Sequence, residues 1–257
     1  MSSKINWLVS NTLPGSLVLQ SWLTKHGISP SLAQKYTTSN WLKKLSAGVY
    51  ARPGRPPEWQ DVIHSLQTQK ELPIHLAGIS SLAYQGKAHY LQLSGEKIWI
   101  ALNNNVHLPT WFKGIKKYQW HILSNSKIEN LIDSDICQIE VKNTQVNSST
   151  VELAVIEILE SVPKHISFEY AAELFQGMVN LSPRKVQSLL ERNNSVKSNR
   201  LFLFLAHYYN HTWLKKLDES KINLGQGKRQ IVKGGKLSRD YNITVPEKFL
   251  KDINEHG

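Results

Sequence analysis

Apolar residues near the N-terminus recur at spacings of three and four, which is the period of a buried helical face. Three such runs follow one another within the first 40 residues. Their inward-facing sets are Ile5, Leu8 and Val9, then Leu19, Trp22 and Leu23, then Leu32, Ala33 and Tyr36. Ser29 followed by Pro30 is a favourable start for the third helix. The pattern predicts three short helices, of which the third runs from Pro30 to Ser39.

Two runs that suit β-strands, 40–45 and 49–52, follow the third helix and are separated by a glycine-containing turn. We expect Trp41 and Leu45 to pack back on the helices, while Lys43 points away. Helix, helix, turn, helix and hairpin, in that order, are the outline of a winged helix-turn-helix. The sequence therefore predicts such a domain at the N-terminus.

A mixed pattern follows the predicted wing. Helices are predicted over 58–70 and 78–86, with a short extended piece between them. Strand-like runs lie at 90–93, 97–102, 118–123 and 136–141. This alternation predicts a small mixed α+β middle section.

From Ser149 onwards the apolar positions return to the helical period. Ser149 and Glu152 suggest a capping box for the first helix of this part. Further helices are predicted from Ser167, from Ser182 and over 199–209. Two last strands, 228–233 and 240–245, are predicted to pair across Gly234 and Gly235.

The sequence therefore predicts an α+β fold with three domains. These are a winged helix-turn-helix over 1–55, a mixed α+β domain over 56–147 and a C-terminal domain over 148–257. The C-terminal domain is expected to be a helical bundle that ends in a basic β-hairpin.

The charge pattern indicates a function for the first of these domains. The first 57 residues contain seven Lys or Arg and no Asp or Glu, and the first acid is Glu58. A purely cationic small domain is typical of a protein that binds a polyanion. We expect duplex DNA to be that partner, with RNA or a protein as the alternative. The predicted contacts lie on the outer face of the third helix, on nearby lysines and at the end of the wing: Lys25, Ser31, Gln34, Lys35, Thr38, Lys43, Lys44, Arg52 and Arg55.

A second cationic set lies near the predicted C-terminal hairpin. Its members are Lys228, Arg229, Lys233, Lys236 and Arg239. They could contact nucleic acid, contact an acidic or nucleotide-bearing partner, or form a solvated face. We treat them as a candidate anion-binding patch.

Residues that could carry catalysis do not form a complete motif. The segment 225–228 resembles part of a phosphate loop but lacks its full spacing and its Ser or Thr after the lysine. Asp133 and Asp135 could hold metal as in nucleotidyl transfer, but a polar turn before a strand is the favoured interpretation. We therefore predict no enzymatic activity, no cofactor and no metal site. A nucleotide-handling enzyme with a DNA-binding head, and an interaction protein that docks an acidic partner, remain the alternatives.

Cysteine and hydropathy patterns bear on the compartment. The single cysteine, Cys137, cannot form an internal disulfide and is expected to be a small buried residue. The first residues lack the apolar core of a signal peptide, and no apolar run is long enough to cross a membrane. We expect a soluble cytoplasmic protein without membrane contact.

Several longer motifs occur in order along the chain. They are Gly27-Ile28-Ser29, Gly48 to Gly54, Leu72 to His75, Gln85 to Leu91, Lys233 to Lys236 and Tyr241 to Pro246. With these motifs the sequence resembles the AbiEi-type antitoxins of type IV toxin–antitoxin (abortive infection) systems. By position, the resemblance puts the DNA-contacting helix at 30–39 and the wing at 41–52.

The resemblance implies an N-terminal domain that represses the system's own promoter, where we expect inverted repeats. It also implies a C-terminal region that counters a nucleotidyltransferase-type toxin, without requiring a stable complex with it. It supplies no catalytic residue. The cationic set over 228–239 is a candidate for the antitoxin effect on the grounds of charge alone.

Overall fold

The computed structural model describes residues 3–87, 97–102 and 105–250. Its first unit, here called the head, begins with helix α1 (Lys4–Ser10) and strand β1 (Leu17–Leu19). Helices α2 (Gln20–Lys25) and α3 (Pro30–Thr38) and strands β2 (Lys43–Ser46) and β3 (Val49–Ala51) follow. The strands form an antiparallel sheet in the order β1-β3-β2. The predicted positions of α1, α3 and the β2–β3 hairpin are confirmed.

Strand β1 corrects the sequence prediction, which places Leu19 in the second of the three helices. All three of its residues are buried because both faces of the sheet are covered. Val18 packs in the head core with Leu8 and Leu23, whereas Leu17 and Leu19 belong to the core of the next unit. A strand buried on both faces is a continuous apolar run, and its period cannot distinguish it from a helix.

The wing also differs from expectation in its side chains. Trp41 and Leu45 do not pack on the helices but are 41% and 45% exposed, and Leu42 is buried in their place. The pairing of β2 with β3 skips a residue between Lys44 and Ser46, which is a β-bulge at Leu45. A bulge breaks the alternation of side chains along a strand, so the inward position cannot be counted from the sequence.

The middle unit is built on a five-stranded sheet in the order β6-β5-β4-β8-β7. Its elements are α4 (Trp59–Thr68), β4 (Ile74–Leu76), α5 (Gly78–Tyr84), β5 (Lys97–Leu102), β6 (Gln119–Ser124), β7 (Ile136–Val141) and β8 (Thr144–Ser149). Pairs β5–β6 and β4–β8 are parallel, and pairs β4–β5 and β7–β8 are antiparallel. The predicted helices and the strands near 74, 97, 119 and 136 are confirmed.

Strand β8 is an addition to the predicted elements. Its sequence, TQVNSS, alternates weakly because Thr144, Ser148 and Ser149 are buried polar residues. The predicted strand at 90–93 lies outside the described residues. The predicted domain boundary at 147/148 falls within β8, and the division into domains stays a prediction.

The C-terminal unit packs four helices around an apolar core. They are α6 (Val151–Glu160), α7 (Phe168–Gln176), α8 (Pro183–Arg192) and α9 (Val196–Tyr208). The predicted start at Ser167 is confirmed, because its side chain accepts the N–H of Tyr170. The predicted capping box of α6 is wrong. Thr150 is the N-cap, Ser149 donates its hydroxyl to Glu157, and Glu152 accepts the N–H of Ser182.

The predicted basic β-hairpin is also wrong. Strand β9 (Arg229–Gln230) runs parallel to β11 (Ile243–Val245), and β10 (Lys236–Ser238) pairs antiparallel with the other edge of β11. The chain between β9 and β10 therefore passes from one edge of the sheet to the other. A Cβ at Gly235 would lie 2.7 Å from the Val245 carbonyl oxygen, so glycine permits a close approach here rather than a hairpin turn.

Candidate nucleic-acid interface

Helix α3 is held with its polar face outward by its cap and by two buried side chains. The hydroxyl of Ser29 accepts the N–H of Leu32, and Pro30 takes the first helical position, where a missing N–H costs nothing. Ala33 and Tyr36 are buried against the head core. The turn of the helix then leaves the four predicted contact residues exposed, as the sequence predicts: Ser31, Gln34, Lys35 and Thr38.

The exposed side chains of α3 differ in whether they already form hydrogen bonds within the protein. Ser31 shares a hydrogen bond of 2.9 Å with the hydroxyl of Ser29, and Thr38 donates its hydroxyl to the carbonyl oxygen of Gln34. Among the described residues, nothing binds the side-chain amide of Gln34 or the ammonium group of Lys35. These two groups are therefore available to an external ligand.

The second exposed surface of the head is strand β2. It forms the outer edge of the sheet, and all four of its residues are exposed. Lys43 and Lys44 have no acidic partner among the described residues. The strand turns into β3 through Ala47 and Gly48, where Gly48 has a φ of 69° that glycine adopts without strain. The result is an exposed cationic edge on the sheet of the head.

Arg52 occupies a different environment from the one expected at the end of the wing. It is only 9% exposed and donates from Nη1 to the carbonyl oxygen of Trp41 at 3.2 Å. Burial lowers the pKa of its guanidinium. The side chain therefore ties the start of the wing to its end instead of extending into solvent.

Arg55 and Lys25 are engaged with acids of the middle unit. Arg55 binds both carboxylate oxygens of buried Asp61, at 2.6 and 2.9 Å, and this hydrogen bonding raises the pKa of the guanidinium. Lys25 forms an exposed ion pair of 3.1 Å with Glu71. Their DNA contacts stay a prediction. The two ion pairs join the head to the middle unit.

The C-terminal patch is divided by the correction to its strands. All of its five cations are exposed, but Arg229 lies on one edge strand and Lys236 on the opposite edge strand. Lys236 is paired with Glu247. Lys233 lies in the connection between these edges, and Arg239 lies between β10 and β11. The cations therefore surround a small sheet rather than forming one hairpin.

The two segments weighed as catalytic sites are held by arginines. Arg192 binds both oxygens of Asp135 at 3.0 Å, and Asp135 also accepts the N–H of Ile132. Arg200 donates to the carbonyl oxygens of Leu224, Gly225 and Gly227. A phosphate loop presents N–H groups to its ligand, so carbonyls directed at Arg200 indicate a structural turn.

Sequence reasoning missed the exposure of Trp41 and Leu45, which adds apolar surface next to the cations of the wing. No local signal marks the bulge that turns Leu45 outward.

In the part of the chain that the structure describes, none of the helices combines the length and apolar character needed to cross a membrane.

Comparisons with known proteins identify the family. Residues 1–93 match the model of the N-terminal domain of the AbiEi antitoxin transcriptional regulators, and residues 95–246 match the model described as transcriptional regulator, AbiEi antitoxin, type IV toxin–antitoxin system. The crystal structure of the RV2827C protein from Mycobacterium tuberculosis is similar in fold, with a TM-score of 0.62 at 15% identity. That match covers 98% of this chain and 93% of the other.

No curated protein matches the sequence. The two family models nevertheless span nearly all of it, and they describe a regulator rather than an enzyme. The chain belongs to the AbiEi family of transcriptional regulators, the antitoxins of type IV toxin–antitoxin systems.

Proposed function

We propose that the head is a winged helix-turn-helix that binds duplex DNA, with α3 in the major groove and the β2–β3 wing beside it. The observation that carries the proposal is the free polar face of α3, in a segment of 57 residues that contains no acid. The order helix, strand, helix, helix, strand, strand agrees with this interpretation.

Within this interface, the side chains have different tasks. Gln34 can bind an adenine edge through both its amide oxygen and its amide nitrogen, which makes it the candidate for sequence recognition. Ser31 and Thr38 flank it on the same exposed face. Lys35, Lys43 and Lys44 neutralise phosphates, which supplies affinity that does not depend on sequence and that falls with salt.

Arg52, Arg55 and Lys25 also support this interface from within the protein, in addition to the DNA contacts that the sequence predicts for them. Arg52 bridges the two ends of the wing, and the other two join the head to the middle unit. A head fixed in this way presents α3 and the wing in one orientation, which favours a single docking geometry on the duplex.

The DNA site of this regulator is its own promoter, which it represses, with inverted repeats as the bound sequence. A reporter gene under the upstream region tests this. Wild-type protein should repress the reporter, and Gln34→Ala protein at equal cellular level should repress it less. Repression that is equal for the two proteins, or absent for both, would contradict the proposal.

The C-terminal region counters a toxin of the nucleotidyltransferase type without needing a stable complex with it. The exposed cations around the β9–β11 sheet support this assignment, because they form a surface that attracts nucleotides, nucleic acids or acidic proteins. Lys233 and Arg239 are the best members to test, since neither has an acidic partner among the described residues.

The corresponding experiment is growth rescue in cells that express the neighbouring toxin. Lys233→Ala/Arg239→Ala protein should rescue growth less than wild type, at equal abundance and with unchanged promoter repression. Lys113→Ala, which removes an exposed lysine of the middle unit, is the matched control. Full rescue by the double variant would exclude these cations from the antitoxin effect.

A further inference from the structure

A third cationic cluster is separate in sequence from the head and from the C-terminal patch. It joins the start of β5, the middle of β6, the segment after α6 and the first turn of α9. We call it the histidine–lysine cluster, and its members are Lys97, His121, Lys164, His165 and Lys197.

The two imidazoles at the centre of this cluster are in contact. The ring centroids of His121 and His165 are 4.5 Å apart, with the planes at 68°. Trp99 covers another side of His121, with ring centroids 4.0 Å apart, and the Nζ of Lys97 lies 5.7 Å from the centre of the Trp99 ring. His165 itself is exposed, so the cluster is open to solvent on that side.

A buried polar atom at the centre of the cluster lacks a partner. The Nε2 atom of His121 is buried and has no hydrogen bond to any described residue. An unpaired buried nitrogen costs free energy that a ligand can recover by supplying the missing partner.

The charges that face the two imidazoles are all positive among the described residues. Burial, with His165 and Lys97 nearby, lowers the pKa of His121 to about 4. Burial also lowers the pKa of His165, and Lys164, Lys97 and Lys197 add to the effect. Glu160, the acid that pairs with Lys197, also accepts the hydroxyl of Ser195.

Burial and the neighbouring positive groups therefore both disfavour protonation of the two imidazoles. A bound dianion would reverse this effect, because it favours protonation of the imidazoles and gives each N–H a charged acceptor. A phosphate monoester carries this double charge, whereas each phosphate of a nucleic-acid backbone carries only one.

We propose that the histidine–lysine cluster binds the phosphate group of a small phosphate monoester, such as a mononucleotide. Lys97, Lys164 and the two imidazoles hold the phosphate oxygens. Lys197 positions the segment after α6 by donating to the carbonyl oxygen of Val162 at 2.7 Å. The proposal does not depend on DNA binding by the head.

The test is a titration of the whole chain with sulfate and, in parallel, with adenosine monophosphate, followed by NMR of the imidazole signals. Sulfate keeps two charges from pH 5.5 to 8, so its binding reports the titration of the protein alone. Chloride at matched ionic strength is the blank. We expect saturable shifts of the His121 and His165 signals, a rise in the pKa of both, and tighter sulfate binding at pH 6 than at pH 8.

Variants separate the cluster from general surface charge. Lys97→Ala and His165→Gln should weaken both ligands about tenfold, the loss expected for one hydrogen bond to a charged group. Lys113→Ala should leave both affinities unchanged. Equal affinity for sulfate and the nucleotide supports a site for the phosphate group alone, and tighter nucleotide binding supports added contacts to the nucleoside.

Three results would overturn the proposal. The first is a lack of saturable shifts with both ligands, and the second is an equal loss of affinity in Lys113→Ala. The third is a response of these imidazoles to duplex DNA with none to sulfate or the nucleotide, which would assign the cluster to a nucleic-acid surface.

Discussion

At the free edge of β1, the side chain of Gln69 forms the hydrogen bond to Leu19 that a neighbouring strand would otherwise form. Its Oε1 accepts the N–H of Leu19 at 2.8 Å, and its Nε2 donates to the carbonyl oxygen of Leu17 at 2.7 Å. Gln69 follows α4 in the middle unit and is buried. One side chain thereby covers the edge of the head's sheet and fixes the head to the rest of the chain.

Gln69→Ala should lower the free energy of unfolding by about 1–3 kcal/mol, because it leaves two buried backbone groups without partners. Urea unfolding followed by circular dichroism measures the change. Gln187→Ala is a suitable control, since its side chain also bridges two segments but is half-buried and makes its hydrogen bonds at an exposed site. An equal, small loss in both variants would mean that the edge of β1 is not stabilised in this way.

Gln34→Ala should reduce binding to the preferred DNA site by about 1–3 kcal/mol and relax sequence preference, because Gln34 is assigned to a base edge. Binding to random duplex should change little. Competition binding with both duplexes makes the measurement. A proportional loss on the two duplexes would show that α3 does not read the sequence.

Lys44→Ala should weaken all duplexes alike and reduce the dependence of log affinity on log salt by about one, since one phosphate contact is lost. Lys25→Ala should have a smaller effect because Glu71 already neutralises Lys25. Affinity across a salt series measures both slopes. A loss confined to the preferred site in Lys44→Ala would contradict its assignment to phosphate.

His121 should make the protein less stable in acid. Burial lowers its pKa from 6.5 to about 4. As the pH falls, His121 is therefore protonated in the unfolded chain before it is protonated in the folded protein. The contribution of this group to the free energy of unfolding is complete above pH 6.5 and is lost as the pH falls toward 4. In His121→Asn, the urea midpoint should fall less over this range than in wild type. His107→Asn, at an exposed site, should keep the wild-type dependence, and an unchanged dependence in His121→Asn would refute the prediction.

Helix α3 and its exposed face could be predicted because the signals are local. Ser29, Pro30 and the spacing of Ala33 and Tyr36 are enough to set the start and orientation of a helix. The cations of the wing could likewise be predicted from charge alone.

The partners of these cations could not be predicted, because pairing depends on residues distant in sequence. Arg55 meets Asp61 only once the segment between β3 and α4 folds onto α4, and Arg52 reaches Trp41 only across the wing. The parallel pairing of β9 with β11 is also non-local, since β10 lies between them in the chain. Two strand-like runs on either side of two glycines favour a hairpin unless the path of the whole chain is known.

The head is proposed to recognise the DNA upstream of its own gene. The most direct test is fluorescence anisotropy of the whole chain with that duplex and with a scrambled duplex of equal length, across a salt series. We predict tight binding to the upstream duplex and a clear preference over the scrambled one at every salt concentration. Weak binding that is equal for both duplexes and lost with salt would contradict the claim, because it would make the head a general polyanion surface.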